Sequence, residues 1–360
     1  MTIWVPTEAR TERVFPGPLA GRLELHPFDS EVLRGNPWGD PSRRDLTVYL
    51  PPSGQTEGLP LLLYLPGFTG AGWIEANRPS YLASSRVRRL DFLIRSGGAP
   101  EAVLVAPDCL TTLGGSQYLN SSATGRYEDY VVQEILPWVA ERYRTGPVGV
   151  VGTSSGGFGA LSLAMYHPDV FRAAASNAGD LYFEYTYTPQ FSLAFRALRK
   201  EGGPEALLRK VLAQPTSGFS PHHPMIQALE LMAYAACYSP VEDEPGRFEL
   251  PFDLETGAIR PEVWERWLER DPVRMVQTDR FSEALRRVDY VYVDGGTRDE
   301  WALDVGARIF AATARRRGIH VDHEEYDGVH GDGVARYDVF LPRVLGALTG
   351  RAASAPSGPV

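Results

Sequence analysis

The sequence predicts an α/β fold, with a mainly parallel central sheet and helices on both faces. Strand-like and helix-like segments alternate through most of the 360 residues. Two runs, residues 61–65 and 102–105, are apolar throughout, which is typical of strands buried on both faces of a parallel sheet. Hydrophobic residues make up 43% of the chain, enough for a large core. We therefore expect one elaborated domain over residues 1–350.

The individual strands follow from the hydrophobic patterning. Residues 22–26 and 46–50 alternate apolar and polar side chains, which indicates half-buried antiparallel strands. After these two, parallel strands are predicted at residues 61–65, 102–105, 148–151, 173–176 and 288–293. Residues 319–326 alternate again and are expected near an edge of the sheet.

Helices are predicted between these strands. Apolar residues recur at helical spacing from Tyr127 to Val139, where Pro137 should kink the helix or restrict its start. Residues 181–280 break the alternation, so we expect a helical insertion that forms a lid after the sixth predicted strand. Residues 351–360 are rich in Gly, Ala, Ser and Pro and are predicted to form a flexible tail. Other helical patterns lie at residues 191–200, 204–212, 224–236, 308–317 and 337–348.

Composition and charge argue against several classes of partner. The net charge is −9 with no basic cluster, so nucleic acid is not expected to bind. No apolar run reaches membrane-spanning length, and the N-terminus lacks a basic start followed by a long apolar stretch. A cytoplasmic protein is the default expectation, although a chain whose signal peptide had been cleaved would look the same. The oligomeric state cannot be predicted from these features.

No metal or cofactor is expected. Cys109 and Cys237 make no disulfide framework and are predicted to be buried free thiols. His320 and His323 alternate along a predicted strand and would point to opposite faces, so they do not form a ligand cluster. No phosphate-binding or dinucleotide fingerprint follows a strand.

The motif Gly152-Thr153-Ser154-Ser155-Gly156 is the strongest functional signal. It follows the predicted strand 148–151 and precedes the small-residue helix start 157–161. A sharp turn of this kind lifts a serine hydroxyl above the sheet and points helix N–H groups at its surroundings. A glycine-rich turn with a bystander serine is the alternative. The nucleophile elbow is favoured because suitable partner residues follow downstream in the right order.

A serine nucleophile needs a general base and an acid that orients the base. The base candidate is His330, in a glycine-rich loop between the last predicted strand and the last predicted helix. The acid candidate is Asp299, in the loop after residues 288–293. Asp294 and Glu300 are its rivals, and Asp299 could instead cap the following helix.

Two backbone N–H groups are expected to form an oxyanion hole. One belongs to Ser155, the residue after the nucleophile, and the other most plausibly to Phe68 in the loop 66–70 after the third predicted strand. An ordinary Gly/Pro turn is the alternative for that loop. Its position after the third predicted strand favours the functional interpretation.

These motifs resemble the esterase D family of α/β-hydrolases, which includes S-formylglutathione hydrolases, enterochelin esterases, feruloyl esterases and mycolyltransferases. The segments that carry the resemblance are residues 48–52, 64–70, 125–130, 152–161 and 326–330. The resemblance implies an α/β-hydrolase fold, the triad Ser154, Asp299 and His330, and the Phe68 and Ser155 oxyanion hole. The chain departs from the family in its N-terminal extension, its long insertion, and the segment 331–333, which lacks the tryptophan expected in several relatives.

The expected function is hydrolysis of a small-molecule carboxylic ester through an acyl-enzyme. An acyltransferase on the same fold and a non-catalytic scaffold that binds a ligand or partner are the alternatives. Asp180, Tyr182, Phe183, Tyr185 and Tyr187 follow the sixth predicted strand and could wall a pocket for aromatic or medium-chain esters. The same aromatic residues could instead only hold the insertion on the core. Polar contacts to the substrate are expected from Gln117, Tyr118 and Asn120.

Overall fold

An eight-stranded sheet forms the centre of the protein. The computed structural model describes residues 18–77, 85–213 and 224–350. Its strands are β1 (Arg22–Asp29), β2 (Arg43–Leu50), β3 (Leu61–Leu65), β4 (Val103–Pro107), β5 (Asn120–Ser121), β6 (Gly125–Arg126), β7 (Val148–Thr153), β8 (Phe171–Asn177), β9 (Tyr290–Gly296) and β10 (Asp322–Tyr326). The main sheet has the order β1-β2-β4-β3-β7-β8-β9-β10, and β5 and β6 form a separate hairpin.

The strand directions match the predicted fold class. β1 pairs antiparallel with β2, and β2 pairs antiparallel with β4. All further pairs in the main sheet, from β4 and β3 to β9 and β10, are parallel. Parallel strands end at one edge of the sheet, so the loops after β3, β7, β9 and β10 come together there.

Thirteen α-helical segments lie within the described residues. They are α1 (Arg86–Arg95), α2 (Tyr127–Asp129), α3 (Leu136–Tyr143), α4 (Ser155–Tyr166), α5 (Phe183–Thr186), α6 (Thr188–Glu201), α7 (Pro204–Leu212), α8 (Pro224–Tyr238), α9 (Pro261–Leu268), α10 (Pro272–Gln277), α11 (Asp279–Arg286), α12 (Leu303–Arg316) and α13 (Tyr337–Thr349). Short 3₁₀ helices span Gly72–Ala76 and His330–Arg336.

Helices cover both faces of the sheet because the strand side chains alternate between two cores. Leu61 and Leu63 of β3 pack in a cluster with residues of α3, α4 and α12. Leu62 and Tyr64 of the same strand pack in a second cluster with residues of α1 and α13. Every residue of β3 is buried, as the uninterrupted apolar run predicts.

The segment after β8 builds a third apolar cluster. Residues of α5 to α9 pack on one another there, and Phe158 of α4 joins them to the sheet. The last residue along the chain in this cluster is Leu268. Val273 and Met275 of α10 pack instead in the first cluster, which contains Leu61 and Leu63 of β3. The helices of residues 181–280 thus contribute to two cores, with α5 to α9 in the third cluster and α10 in the first.

Several element boundaries differ from the predicted ones. β9 begins at Tyr290 and β10 at Asp322, two to three residues later than the hydrophobic patterns suggest. The helix around Pro137 is not one continuous α-helix: a π-helical stretch, Tyr130–Ile135, separates α2 from α3, and Pro137 lies in the first turn of α3. Proline has no N–H to donate to the preceding turn, which explains the interruption.

The described helices do not have membrane-spanning geometry. Across residues 18–77, 85–213 and 224–350, no helix combines the length and the apolar character that crossing a bilayer requires. The predicted flexible tail, residues 351–360, lies outside the described residues.

Candidate active site

Ser154 sits on a sharp turn between β7 and α4. Its backbone has φ 58° and ψ −125°, a conformation that costs a non-glycine residue about 1–3 kcal/mol. The turn is held on both sides: the Ser154 N–H donates to the Asn177 carbonyl at 3.0 Å, and the Ser154 carbonyl accepts from the Phe158 N–H at 3.0 Å. The strained backbone presents the hydroxyl at the carboxyl edge of the sheet.

The glycines that flank Ser154 are required by close backbone approaches. A Cβ on Gly152 would lie 2.1 Å from the Gly156 carbonyl oxygen, and a Cβ on Gly156 would lie 1.9 Å from the Leu65 carbonyl oxygen. Neither distance is possible for real atoms, so any side chain would force the elbow and β3 apart. The sequence motif thus reports steric constraints of the turn.

His330 and Asp299 are joined by a hydrogen bond. The His330 Nδ1–H donates to Asp299 Oδ2 at 2.8 Å, and the Asp299 side chain is fully buried. The second oxygen, Asp299 Oδ1, accepts from the Trp301 N–H at 2.9 Å, which fixes the carboxylate. The Trp301 ring packs edge-on against the imidazole with centroids 4.9 Å apart. This arrangement leaves Nε2 of His330 as the reactive nitrogen.

The pKa of His330 lies above its ordinary value. Burial alone would lower the pKa of the imidazole, but the hydrogen bond and the charge of Asp299 raise it more strongly, and Asp180 and Glu300 add to that effect. The protonated imidazole is therefore stabilised by its surroundings, as a general base that becomes positively charged requires.

The two rival acids have other roles. The Asp294 carboxylate is buried in an ion pair with Arg336, with 3.1 Å between Oδ2 and Nε, and also accepts from Asn177 and Tyr292. Glu300 accepts the backbone N–H of His330 at 3.1 Å and so positions the loop, not the imidazole ring.

Ser154 and His330 line one cavity of about 770 Å³. No direct hydrogen bond joins the two side chains in the described part of the structure. Catalytic hydrogen bonds are often long before substrate binds, so this geometry is compatible with a serine–histidine pair.

The N–H groups of Phe68 and Ser155 have no acceptor among the described residues. The Phe68 loop lies directly beside the elbow, since a Cβ on Gly67 would come within 3.2 Å of Ser154 Cβ. The loop is anchored by the Thr69 N–H, which donates to the Gly114 carbonyl at 2.9 Å. Two unpaired N–H groups next to a serine can receive a negatively charged oxygen.

The cavity has two unlike sides. On one side are the loop after β3, the elbow and the residues around His330, with Glu75 and Arg86 at its end. On the other side are Asp180 and residues of α5 to α8: Thr186, Tyr187, Gln190, Val211, Leu212, Ile226, Glu230 and Tyr234. We call these the sheet wall and the insertion wall.

Of the residues predicted to contact substrate, the structure brings Asp180 and Tyr187 to the cavity. Gln117 and Tyr118 lie behind the sheet wall, where the Tyr118 hydroxyl donates to the Pro66 carbonyl at 2.5 Å and the Gln117 amide donates to the Tyr238 hydroxyl at 2.7 Å. Asn120 does not line this cavity: it is exposed on β5, and its side chain accepts from the Asp129 N–H.

The aromatic residues after β8 also divide into those that line the cavity and those that do not. Tyr187 lines the cavity, whereas Phe183 is buried in a cluster with Tyr187 and Tyr238, with ring centroids 4.7 and 5.1 Å away. Tyr182 and Tyr185 pack against each other away from the cavity, and Tyr185 is 53% exposed. Phe183, Tyr182 and Tyr185 are thus not cavity residues, because the short helix α5 turns their side chains elsewhere.

Several cavity residues are absent from the predicted set. Glu230 and Tyr234 of α8, and Glu75 and Arg86 near α1, all line it. One signal could have identified Glu230: it is the only charged residue in the otherwise apolar helix α8. The others carry no comparable signal in the sequence.

Metal ligation finds no support in the side chains that can be examined. Within the described ranges, no group of three or more His, Cys, Asp or Glu side chains could hold a metal ion. Cys109 and Cys237 are buried free thiols, as predicted.

The fold and the elbow define an α/β-hydrolase, and comparison with known proteins gives its family. The family model described as "Putative esterase" matches residues 41–339. The chain belongs to this family, which confirms the resemblance seen in the sequence.

Similar structures extend over nearly the whole chain. A ferulic acid esterase has a TM-score of 0.55 at 19% identity, covering 91% of this chain and 98% of that one. S-formylglutathione hydrolase from Agrobacterium tumefaciens has a TM-score of 0.56 at 16% identity, covering 92% and 97%. At these identities the similarity establishes a shared fold.

Curated relatives match a smaller region. The MPT51 antigen of Mycobacterium leprae is 33% identical over 96 residues, which are 22% of this chain and 32% of that protein. The MPT51/MPB51 antigen of Mycobacterium bovis is 36% identical over 77 residues, 20% of this chain and 26% of the relative. The chain thus spans about a third or less of the length of these relatives.

Proposed function

We propose that the protein is a serine carboxylic-ester hydrolase that acts through an acyl-enzyme. The observation that carries the proposal is the hydrogen bond between His330 and Asp299, facing the cavity that also contains the strained Ser154. Membership of an esterase family supports the same reaction class. The substrate is a small-molecule ester that enters this cavity.

In the first step the Ser154 hydroxyl attacks the ester carbonyl carbon. His330 Nε2 takes the hydroxyl proton, and Asp299 holds the opposite nitrogen and stabilises the imidazolium that forms. Because Ser154 and His330 share no hydrogen bond without substrate, a small movement of either side chain accompanies binding. The alcohol then leaves with the proton from His330.

The carbonyl oxygen becomes negatively charged in this step. The unpaired N–H groups of Phe68 and Ser155 are proposed to donate to it. The loss of one such donor in related chemistry lowers kcat by about 10²–10³. Water, activated by His330, then attacks the acyl-enzyme and releases the acid, so that the enzyme returns to its starting state.

We propose further that the insertion forms a lid over the cavity. Its support is that α5 to α8 supply the residues of the insertion wall, and that Tyr234 of α8 packs against Phe68 with ring centroids 5.9 Å apart. The wall mixes aromatic and aliphatic side chains, among them Tyr187, Val211 and Leu212, which suits aromatic or medium-chain esters better than acetyl esters.

Chromogenic esters of graded acyl length test the proposal directly. Ser154→Ala should lower kcat by about 10³–10⁶ while the protein stays folded, since the elbow keeps its glycines. Ser162→Ala, in the same helix as the elbow, is the matched control and should retain turnover. Near wild-type activity in a folded Ser154→Ala variant would exclude Ser154 as the nucleophile. Adding an alcohol acceptor separates hydrolysis from acyl transfer.

A further inference from the structure

The insertion wall contains two carboxyl groups, Asp180 and Glu230, and the nearby group whose positive charge favours their ionised forms is His330. Asp180 is buried, and its Oδ2 accepts from the Tyr187 hydroxyl at 3.0 Å and the Ser155 hydroxyl at 3.5 Å. Glu230 Oε1 accepts from the Tyr234 hydroxyl at 2.6 Å. Among the described residues, no lysine or arginine forms an ion pair with either group. Carboxylates in such surroundings are costly unless something compensates their charge.

Two neighbouring side chains keep unused hydrogen-bonding atoms. Thr186 and Gln190 line the same wall and are 3% and 6% exposed. Thr186 Oγ1 and Gln190 Oε1 are buried without a hydrogen-bond partner. The Gln190 amide nitrogen donates to the Thr186 carbonyl at 2.7 Å, which fixes the amide and leaves its oxygen free. Both oxygens can accept hydrogen bonds from a ligand that carries donors.

Among the described residues that line the cavity, the one arginine does not balance these charges. Arg86 belongs to the sheet wall, where its guanidinium lies 3.4 Å from the Glu75 carboxylate and 5.6 Å from the centre of the Tyr64 ring. Its charge is therefore already matched by Glu75. The insertion wall keeps an excess of acceptors and of negative charge.

We propose that this wall is a subsite for a protonated amine carried by the ester substrate, held by Asp180 and Glu230. An alkylammonium group supplies three N–H donors and a positive charge, which match two carboxylates and the free oxygens beside them. A neutral polyol would satisfy the acceptors but would leave the charge uncompensated. The inference rests on the proposed ester hydrolysis.

The pKa values of both carboxyl groups lie above their ordinary values. Burial raises the pKa of Asp180 to about 6 and that of Glu230 to about 7. In each case the partner tyrosine opposes the shift without cancelling it. A bound ammonium group would lower both pKa values.

Competitive inhibition of the hydrolysis of a neutral ester measures whether the subsite prefers an ammonium group to a hydroxyl group. The reporter reaction is hydrolysis of 4-nitrophenyl butyrate at a pH above both carboxyl pKa values. In this assay the inhibition constant of n-hexylammonium should be lower than that of 1-hexanol by about tenfold or more. Glu230→Gln and Asp180→Asn are near-isosteric and should each reduce that ratio severalfold, with little change in 1-hexanol inhibition. Glu205→Gln, an exposed residue of α7, removes the same charge away from the cavity and should leave the ratio unchanged.

The following results would contradict the amine subsite. Equal inhibition by the two compounds, or an unchanged ratio in both carboxyl variants, would overturn the inference, and so would stronger inhibition by sorbitol than by n-hexylammonium. If one variant fails to fold, the other still tests the subsite. Calorimetric binding of n-hexylammonium to Ser154→Ala measures the same preference without turnover, so a failure of ester hydrolysis and a failure of the amine subsite are distinguishable.

Discussion

The sheet wall and the insertion wall meet at one cavity but are built on different principles. On the sheet wall, backbone geometry positions the groups: Ser154 is strained, the glycines around it are sterically required, and His330 is tied to Asp299. On the insertion wall, side-chain packing positions the groups: Tyr187 and Tyr234 belong to an aromatic cluster and direct their hydroxyls at carboxylates.

The contrast indicates a division of labour. The Asp299 carboxylate is held by His330 and by the Trp301 N–H, whereas Thr186 and Gln190 keep oxygens that have no partner among the described residues. Groups that do chemistry need fixed geometry, and groups that recognise substrate need capacity left for it. Changes on the two walls should therefore have different experimental signatures.

The largest expected effect is a loss of kcat that distinguishes Asp299 from Asp294. Asp299→Asn should lower kcat by about 10⁴ with little loss of stability, because the amide favours the wrong histidine tautomer. Asp294→Asn should instead lower the melting temperature, since it weakens the buried pair with Arg336. Steady-state kinetics and thermal unfolding of both variants check this. A larger catalytic loss in Asp294→Asn or Glu300→Gln would reassign the acid.

A single methyl group added at the elbow should lower the free energy of unfolding more than a substitution in the insertion wall does. Gly156→Ala would place Cβ 1.9 Å from the Leu65 carbonyl oxygen, and we expect a loss of more than about 4 kcal/mol or failure to fold. Gly331→Ala, where no atom lies within 4 Å of the added Cβ, is the control. Circular dichroism and thermal melts measure the difference, and equal stability of the two variants would contradict the steric argument.

Within the insertion, buried and exposed aromatic residues should behave differently. Phe183→Ala should cost about 3–5 kcal/mol, because it empties a packed ring site. Tyr185→Ala should change stability by less than about 0.5 kcal/mol, because the ring is 53% exposed. If both variants keep the wild-type ranking of esters, selectivity does not depend on these two positions.

The pH dependence should have opposite signs for activity and stability. Activity requires neutral His330, so kcat/KM should rise about tenfold per pH unit until a plateau above the ordinary histidine pKa.

Stability should fall over the same range. His330, Asp180 and Glu230 all have raised pKa values, so the folded state binds protons more tightly than the unfolded chain. Their stabilising contribution is complete below the unfolded pKa values and is lost as pH rises through the folded ones, near 6 for Asp180 and 7 for Glu230. Glu230→Gln should flatten the melting-temperature profile around pH 7, and an unchanged profile would show that Glu230 does not titrate there.

Much of the fold was predictable because the evidence for it is local. Alternating or continuous apolar runs predict all eight strands of the main sheet, and the parallel direction follows from the helices between them. The hydrophobic pattern does not mark where β9 and β10 begin, since each starts opposite the third residue of its neighbouring strand. The insertion is predicted as helical, whereas the division of its helices between two cores depends on tertiary packing.

The sequence by itself determined the elbow, the order of serine, acid and base, and the loop that brings Phe68 to Ser154, since each depends on a turn at the end of a strand. Only the tertiary structure decided that Asp294 pairs with Arg336, that Asn120 faces solvent, and that Glu230 faces the cavity. The physical reason is that a side chain's surroundings on a packed helix depend on contacts with residues far away in sequence. A carboxylate in α8 has the same chemistry in the sequence wherever the helix lies, and packing turned this one toward Ser154.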